Sequence, residues 1–424
     1  MKRLLGYFVV LTLGVVPTLA QSRLEAPDTE NYLRWGSIRG RPGLELSRIG
    51  YDNNILQSTD SSPDGRVGDY TATVSPKLDL LTLMGRSAFL TFEQRFDYTV
   101  YANRVDQNFL NSRTSARATI PLKSRFGFFV EGLYQIRHER PPDLARARPK
   151  LNYVNLGYGF ILEPGWRTQI EVGAITDDYK YTDSDVGPDV TAYIASRLNR
   201  FERGGSVDFR YLALTRTRVV FNGLVKNIDF DQTITIEDFP SPGEQQIIGR
   251  DANEWRAVAG LEFGRGGRVT GVFLVGWNQI KPEDSRIQTL SIPIGEASLA
   301  YRFSPRTRLE INGQRISGFA VFGLNSYYLT SETELRVVHF FNRPFGLEAA
   351  VGTGQLTFPA SLNVLEREDD LNRYELGVRL HQVEDSMGKR VEYSFMVRHV
   401  QRRSSIPALD RSDASISFGA VFGY

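Results

Sequence analysis

No cysteine occurs anywhere in the 424 residues. That excludes disulfide staples, a thiol nucleophile and a lipid-modified cysteine behind an export signal. Histidine is scarce too. His138, His339, His381 and His399 share no metal-ligand spacing, and His339 and His399 fall on apolar strand faces. There is no Gly-rich phosphate loop and no GxSxG nucleophile turn; the glycines from Gly264 to Gly267 read as a turn. Charge of one sign is missing: the net charge is +2, with Arg interleaved with Glu, so no basic face is offered to nucleic acid. Past the N-terminus no apolar run approaches the ~20 residues of a membrane-spanning helix. These absences lead us to expect no metal, no cofactor, no nucleic-acid partner and no enzymatic activity.

What is present begins with an export signal. Lys2 and Arg3 form a charged start, Leu4 to Val16 an apolar stretch, and Thr18-Leu19-Ala20 a small-residue cleavage site. The expected organisation is therefore a signal peptide over 1–20, a short periplasmic lead-in over 21–41 and one continuous domain over 42–424.

That domain alternates with period two. Ala88, Leu90, Phe92, Phe96, Tyr98 and Val100 share one face, interrupted by Gln94; the other face is polar except for Phe89. The pattern recurs at Phe126 to Arg137, Val207 to Ala213, Trp255 to Phe263, Leu376 to Leu380 and Val391 to Arg398. The segments run about 11–15 residues, against ~5–6 for strands of soluble sheets and ~9–11 for a tilted membrane-spanning strand. Aromatics make up 12% of the chain, as strands and interfacial girdles require.

Tight turns are expected near Met84-Gly85-Arg86, Leu122 to Ser124, Glu163 to Gly165, Thr215 to Thr217, Gly264 to Gly267, Ser304 to Arg306, Asn342 to Pro344 and Ser386 to Gly388. The opposite connections are longer and polar: Asn53 to Gly68, Pro141 to Lys150, Tyr181 to Glu202, Asp231 to Asp251 and Pro359 to Asp370. Tyr181 to Glu202 and Asp231 to Asp251 are the candidates for folding inward. Short turns on one rim and long loops on the other predict an all-β, antiparallel, up-and-down transmembrane barrel of about 18 strands (16–18), inserted in outer-membrane lipid with its short rim in the periplasm. The last strand alternates through Ile416, Phe418, Ala420, Phe422 and Tyr424. Phe418, Phe422 and Tyr424 are the expected assembly signal read by the barrel-insertion machinery.

With apolar faces on lipid, the interior is expected to carry Glu93, Arg95, Asp97, Glu131, Arg137, Glu171, Asp208, Arg210, Arg256 and Glu262. Further along it carries Glu296, Arg302, Arg308, Glu310, Glu332, Glu334, Arg336, Glu348, Arg373, Glu375, Arg379, Glu392 and Arg398. Both signs occur, often two residues apart. Such a wall suits a lattice of ion pairs as well as a hydrated conduit, and it argues against a simple anion- or cation-selective pore.

Arg34-Trp35-Gly36 through Pro42-Gly43-Leu44, then Gly50-Tyr51-Asp52-Asn53-Asn54-Ile55, resemble the start of an outer-membrane porin family that often accompanies exopolysaccharide secretion. The turns Ser304 to Arg308 and Thr215 to Arg218 resemble that family's periplasmic turns. The resemblance implies an empty barrel giving a polymer its outer-membrane exit, with a periplasmic polysaccharide export protein as partner; it implies no catalytic residues. Two alternatives stand beside this expectation: a general or substrate-selective porin for small polar solutes, and a structural or adhesive surface barrel.

Overall fold

A computed structural model describes residues 22–423, apart from 28, 30–31, 62–64, 86, 139–147, 183–194, 238–244, 265–266, 321–326, 343, 360–365 and 383–389. The expected signal peptide, Tyr424 and the turn at Ser386 to Gly388 lie outside the described residues.

Eighteen long strands form the wall. They are β1 (Ile38–Asp52), β2 (Asp69–Met84), β3 (Ala88–Tyr101), β4 (Phe109–Lys123), β5 (Phe126–His138), β6 (Lys150–Gly165), β7 (Thr168–Thr182), β8 (Arg200–Leu214) and β9 (Thr217–Phe230). They continue as β10 (Ala252–Phe263), β11 (Val269–Pro282), β12 (Leu290–Arg302), β13 (Thr307–Phe319), β14 (Tyr327–Phe340), β15 (Phe345–Phe358), β16 (Arg367–Gln382), β17 (Arg390–Ser404) and β18 (Arg411–Gly423). Each pairs antiparallel with its sequence neighbours, and β1 pairs with β18 from Gly43↔Gly423 to Asp52↔Ser415, closing the barrel. A short strand, Leu33–Trp35, folds back on the start of β1, so the last residues of the expected lead-in are already wall. Among the described residues no helix is long and apolar enough to cross a membrane.

Closure explains the length and regularity of the strands. A closed barrel lets the backbone polar groups within the lipid layer find partners on neighbouring strands. The tight turns fall on one rim, with Gly85 at φ +70° between β2 and β3. One irregularity interrupts β1: its register with both β2 and β18 slips around Ser47 to Ile49, and Arg48 takes φ +54°, the geometry of a bulge.

The outward face is apolar. Phe96, Tyr98, Val130, Tyr134, Phe221, Val225, Phe273 and Val275 are all exposed on it. Gln94, the polar exception, accepts a hydrogen bond from the Thr114 hydroxyl on β4 at 2.6 Å, so its amide oxygen does not face lipid unpaired. Phe89, the apolar exception, points the other way and is buried. Aromatic residues mark both rims. Trp166, Phe303 and Phe341 are exposed at the short turns. Tyr51, Tyr70, Tyr98, Trp255 and Trp277 are exposed toward the loops, with the indoles of Trp255 and Trp277 donating to Gln279 and Ser291 at 2.6 and 2.8 Å. These are the interfacial girdles of a membrane barrel.

Candidate functional site

The polar face of each strand can be identified as the inner one from the reach of its side chains. Arg117 on β4 donates to Glu171 on β7 at 2.9 Å, and Arg210 on β8 reaches Glu262 on β10 at 3.5 Å. Neighbouring strands are ~4.8 Å apart. Side chains separated by one or two intervening strands converge only on the concave side of a curved wall.

A lattice of mixed sign covers that side. Arg95 contacts Asp97 at 2.9 Å and Glu45 at 2.8 Å. Glu93 lies within electrostatic range of Arg41. Glu131 pairs with Arg117 at 2.7 Å, and Glu171 pairs with Arg117 and Arg23. Asp208 pairs with Arg210 at 2.9 Å, while Arg137 stacks over the Tyr153 ring at 5.9 Å. Arg256 lies within electrostatic range of Glu254 and of Glu296. On the later strands Arg336 joins Glu334 at 3.0 Å, Glu375 at 2.7 Å and Glu348. Arg373 meets Glu334 at 3.3 Å, and Arg398 meets Glu375 at 3.3 Å. Arg379 bridges Glu348 and Glu392. Arg308 pairs with Glu310 at the periplasmic rim, directly across from Arg302. Glu348 is fully buried, and Glu334 and Arg336 are nearly so. These groups therefore hold one another more closely than freely hydrated channel walls would.

Many of the expected residues meet in ion pairs, but sequence reasoning missed part of the lattice. Lys226 on β9 is buried between Asp177 on β7 and Glu202 on β8. Arg200 contacts Glu202 at 2.7 Å and covers the Tyr179 ring at 3.7 Å. Arg200 and Glu202 fall inside the connection expected from Tyr181 to Glu202, but they open β8. Asp369 is held by Arg367 at 2.8 Å and by Arg402. Of the histidines, His339 bonds Thr307 at 2.9 Å, His138 bonds Asn111 at 3.1 Å and His399 stacks on Tyr374. The side chain of His381 lies outside the described ones.

Toward the loops the interior changes character. The β11–β12 ladder continues up to Ile280↔Leu290, and β13–β14 up to Phe319↔Tyr327. The β12–β13 ladder stops at Gly295↔Arg315. Above that point the β12–β13 seam opens and the β13–β14 hairpin, with β14 still paired to β15 as far as Leu329↔Thr357, curls inward. Ser317 on β13 accepts a hydrogen bond from Asn278, on the inner face of β11, at 3.0 Å. Tyr327 belongs to one buried cluster with Ile248, Ala252, Ile280, Leu290, Ile292 and Ile294, and Phe319 and Leu329 pack against that cluster. Phe319 meets the Phe230 ring at 5.1 Å and the Arg200 guanidinium at 5.0 Å. Arg250 ties the next residue in place by donating to the Ala320 carbonyl at 3.0 Å and to the Arg197 carbonyl at 3.1 Å.

Energetics favour this departure. Each buried Ile or Leu contributes roughly 1.5–3 kcal/mol, whereas each ladder hydrogen bond given up nets about 1 kcal/mol. The sequence does carry a signal for it. In Leu290-Ser291-Ile292-Pro293-Ile294 the inward positions are apolar rather than charged. Pro293 lacks an N–H, which suits a segment without a neighbour on one side. Of the two loops expected to fold inward, Asp231 to Asp251 does so at Ile248; residues 183–194 of the other lie outside the described ones.

A closed antiparallel wall, lipid-facing apolar residues between two aromatic girdles and an interior of paired charges define an outer-membrane β-barrel of porin type. The chain belongs to the family described as "Putative beta-barrel porin 2", whose model matches residues 33–423. Among solved structures it is similar to OprD of Pseudomonas aeruginosa, at 8% identity and a TM-score of 0.46, covering 96% of this chain and 98% of that one. It is also similar to a BenF-like porin of Pseudomonas fluorescens Pf-5, at 11% identity and a TM-score of 0.46, covering 91% and 99%. The outer membrane transporter YddB of Escherichia coli matches at 7% identity and a TM-score of 0.44, with 88% of this chain covered but only 61% of the transporter. No curated protein matches the sequence.

Proposed function

We propose that the barrel is a substrate-selective porin passing small polar solutes, with its inward ionic residues lining the path. The carrying observation is the β13–β14 hairpin turned inside the wall, anchored from Asn278 to Ala320. Together with guanidinium–carboxylate pairs that span intervening strands, it leaves a constricted, polar path, which suits small hydrated solutes better than a polymer chain. A polar solute moving along the wall meets donors and acceptors of both signs. On this reading the chain catalyses no chemical step. It is exported by a cleaved signal peptide and inserted by the barrel-assembly machinery through its last strand.

A second reading is an exit for exopolysaccharide, served by a periplasmic export protein. The mixed-sign lattice favours it, since sugars slide along alternating donors and acceptors. One pair of measurements separates the two. Proteoliposomes carrying the purified protein should swell in amino acids and small sugars, and deletion of the gene should leave surface polysaccharide unchanged. Absence of swelling together with loss of polysaccharide would replace the first reading by the second.

A further inference from the structure

The segment expected to follow signal cleavage does not hang free in the periplasm. Ser22 donates through its hydroxyl to Glu163, and the Arg23 backbone N–H donates to the same carboxylate at 2.8 Å. The Arg23 guanidinium contacts Glu171 on β7 and lies 3.5 Å from Asp208 on β8. Leu24 is buried against Phe129 and Ile161 on the inner faces of β5 and β6. It lies so close to Gly127 that a Cβ there would come within 2.4 Å of its methyl group. Farther on, Thr29 contacts Arg39 and Tyr32 stacks on Arg41 at 5.2 Å, on the β1 side. The lead-in therefore runs between two separated sectors of the periplasmic mouth.

The receiving wall carries more carboxylates than guanidiniums, even with Arg218 within electrostatic range of Glu163 and Glu262. Arg117 is shared by Glu131 and Glu171, and Arg210 by Asp208 and Glu262. Glu163, beside them, takes the Gln169 amide at 3.4 Å. Glu131, Glu163, Glu171, Asp208 and Glu262 outnumber Arg117, Arg210 and Arg218, and Arg23 adds a further guanidinium. Beside the carboxylates lies an apolar floor with a glycine hollow that fits one branched aliphatic group.

We propose that Glu163, Glu171 and Asp208, with the floor of Gly127, Phe129 and Ile161, form a binding site for a cationic group flanked by an aliphatic one. Arg23-Leu24 occupies that site as a tethered ligand. Solutes of the same chemistry, such as short basic peptides, compete with the tether at the periplasmic mouth. This deepens the porin reading by naming a class of solute the path recognises.

The test uses fluorescently labelled acetyl-Arg-Leu-amide and fluorescence anisotropy on full-length mature protein in detergent. Folding of each variant is checked by heat-modifiable migration. The doubly substituted Arg23→Gln/Leu24→Ser protein should bind the probe at least about tenfold more tightly than the wild type, whose site is filled. Adding Glu171→Gln and Asp208→Asn to that variant should lose the gain, and acetyl-Glu-Leu-amide should not displace the probe. Equal affinity for the wild type and the emptied variant, or equal displacement by the acidic dipeptide, overturns the proposal. Binding in detergent needs no conduction. A negative result therefore leaves the diffusion reading standing, and a protein that binds but never conducts refutes only the diffusion reading.

Discussion

Arg117 and Glu171 meet at 2.9 Å although two strands, β5 and β6, lie between theirs. The contact exists because the wall is curved and closed, and both side chains are mostly shielded from solvent. Removing one partner of such a pair strands a charge, at a cost that approaches 3–5 kcal/mol when burial is complete. A double-mutant cycle with Arg117→Met and Glu171→Leu should therefore show a coupling of about 1–3 kcal/mol, read from urea unfolding in detergent. Additive single-variant effects would mean the pair is not formed in the folded barrel.

The two faces of β3 make opposite predictions for adjacent residues. Phe92 points outward in the middle region of the strand, whereas Thr91 points inward. Phe92→Arg should cost about 2–4 kcal/mol near the bilayer midplane. Thr91→Arg should fold and insert like the wild type. Folding equilibria in lipid vesicles give both numbers, and a larger loss for Thr91→Arg would invert the assigned faces.

The inward position of the β13–β14 hairpin can be locked. The chain has no cysteine, so a pair introduced as Asn278→Cys and Ser317→Cys is the only thiol pair present. Their native side chains bond at 3.0 Å. The pair should oxidise spontaneously, giving an intramolecular cross-link visible by mass. It should suppress conductance fluctuations in planar bilayers, and reduction should restore them. Two free thiols after oxidation would place the hairpin in the wall.

The terminal strand predicts an assembly defect. Phe418 and Phe422 both pack on Tyr393 of β17, with ring centroids at 6.0 and 6.3 Å. Replacing Phe422 and Tyr424 by Ser should lower the fraction of heat-modifiable, membrane-inserted protein several-fold in cells. Normal insertion would refute the recognition role given to this strand.

In the loop between β11 and β12, a hydrogen bond from the Arg286 guanidinium, aided by the Arg286 backbone N–H, holds the Asp284 carboxyl at about 2. Arg286 in turn donates to the Ile247 carbonyl at 2.8 Å, linking two loops. A carboxyl depressed from the usual value near 4 stabilises its loop at any pH above that value. The contribution fades as pH falls toward 2. The carboxyl carbon of Asp284 should titrate in NMR with a midpoint near 2, and Asp284→Asn should abolish the pH dependence of amide exchange in this loop. A midpoint near 4 would show that the pair does not form.

Much of this molecule was legible in order. Alternation fixed which residues share a face, because successive strand side chains point to opposite sides whatever the strand packs against. Gly and Pro marked the tight turns at Gly85, Ser304 to Arg306 and Asn342 to Pro344, because backbone angles there are local requirements. Strand length against membrane thickness gave the barrel, and the turn spacing gave the strand number. The same parity assigns the polar residues from Glu93 to Arg398 to one face of their strands.

Partnership was not legible. Which carboxylate Arg117 or Lys226 reaches depends on curvature and on registers across several strands, quantities that period two does not encode. Nor could parity show that β12 and β13 separate above Gly295 and Arg315. Parity assigns Phe319 and Tyr327 to the lipid side, but burying them against Ile292 and Ile294 outweighs a few ladder bonds. Arg23 and Leu24 looked like a short polar lead-in, and only the closed wall set Glu163, Glu171, Asp208 and a glycine hollow in their path. Sequence determined the faces through a local stereochemical rule; tertiary structure decided what fills the interior, because that depends on distances across a closed curve.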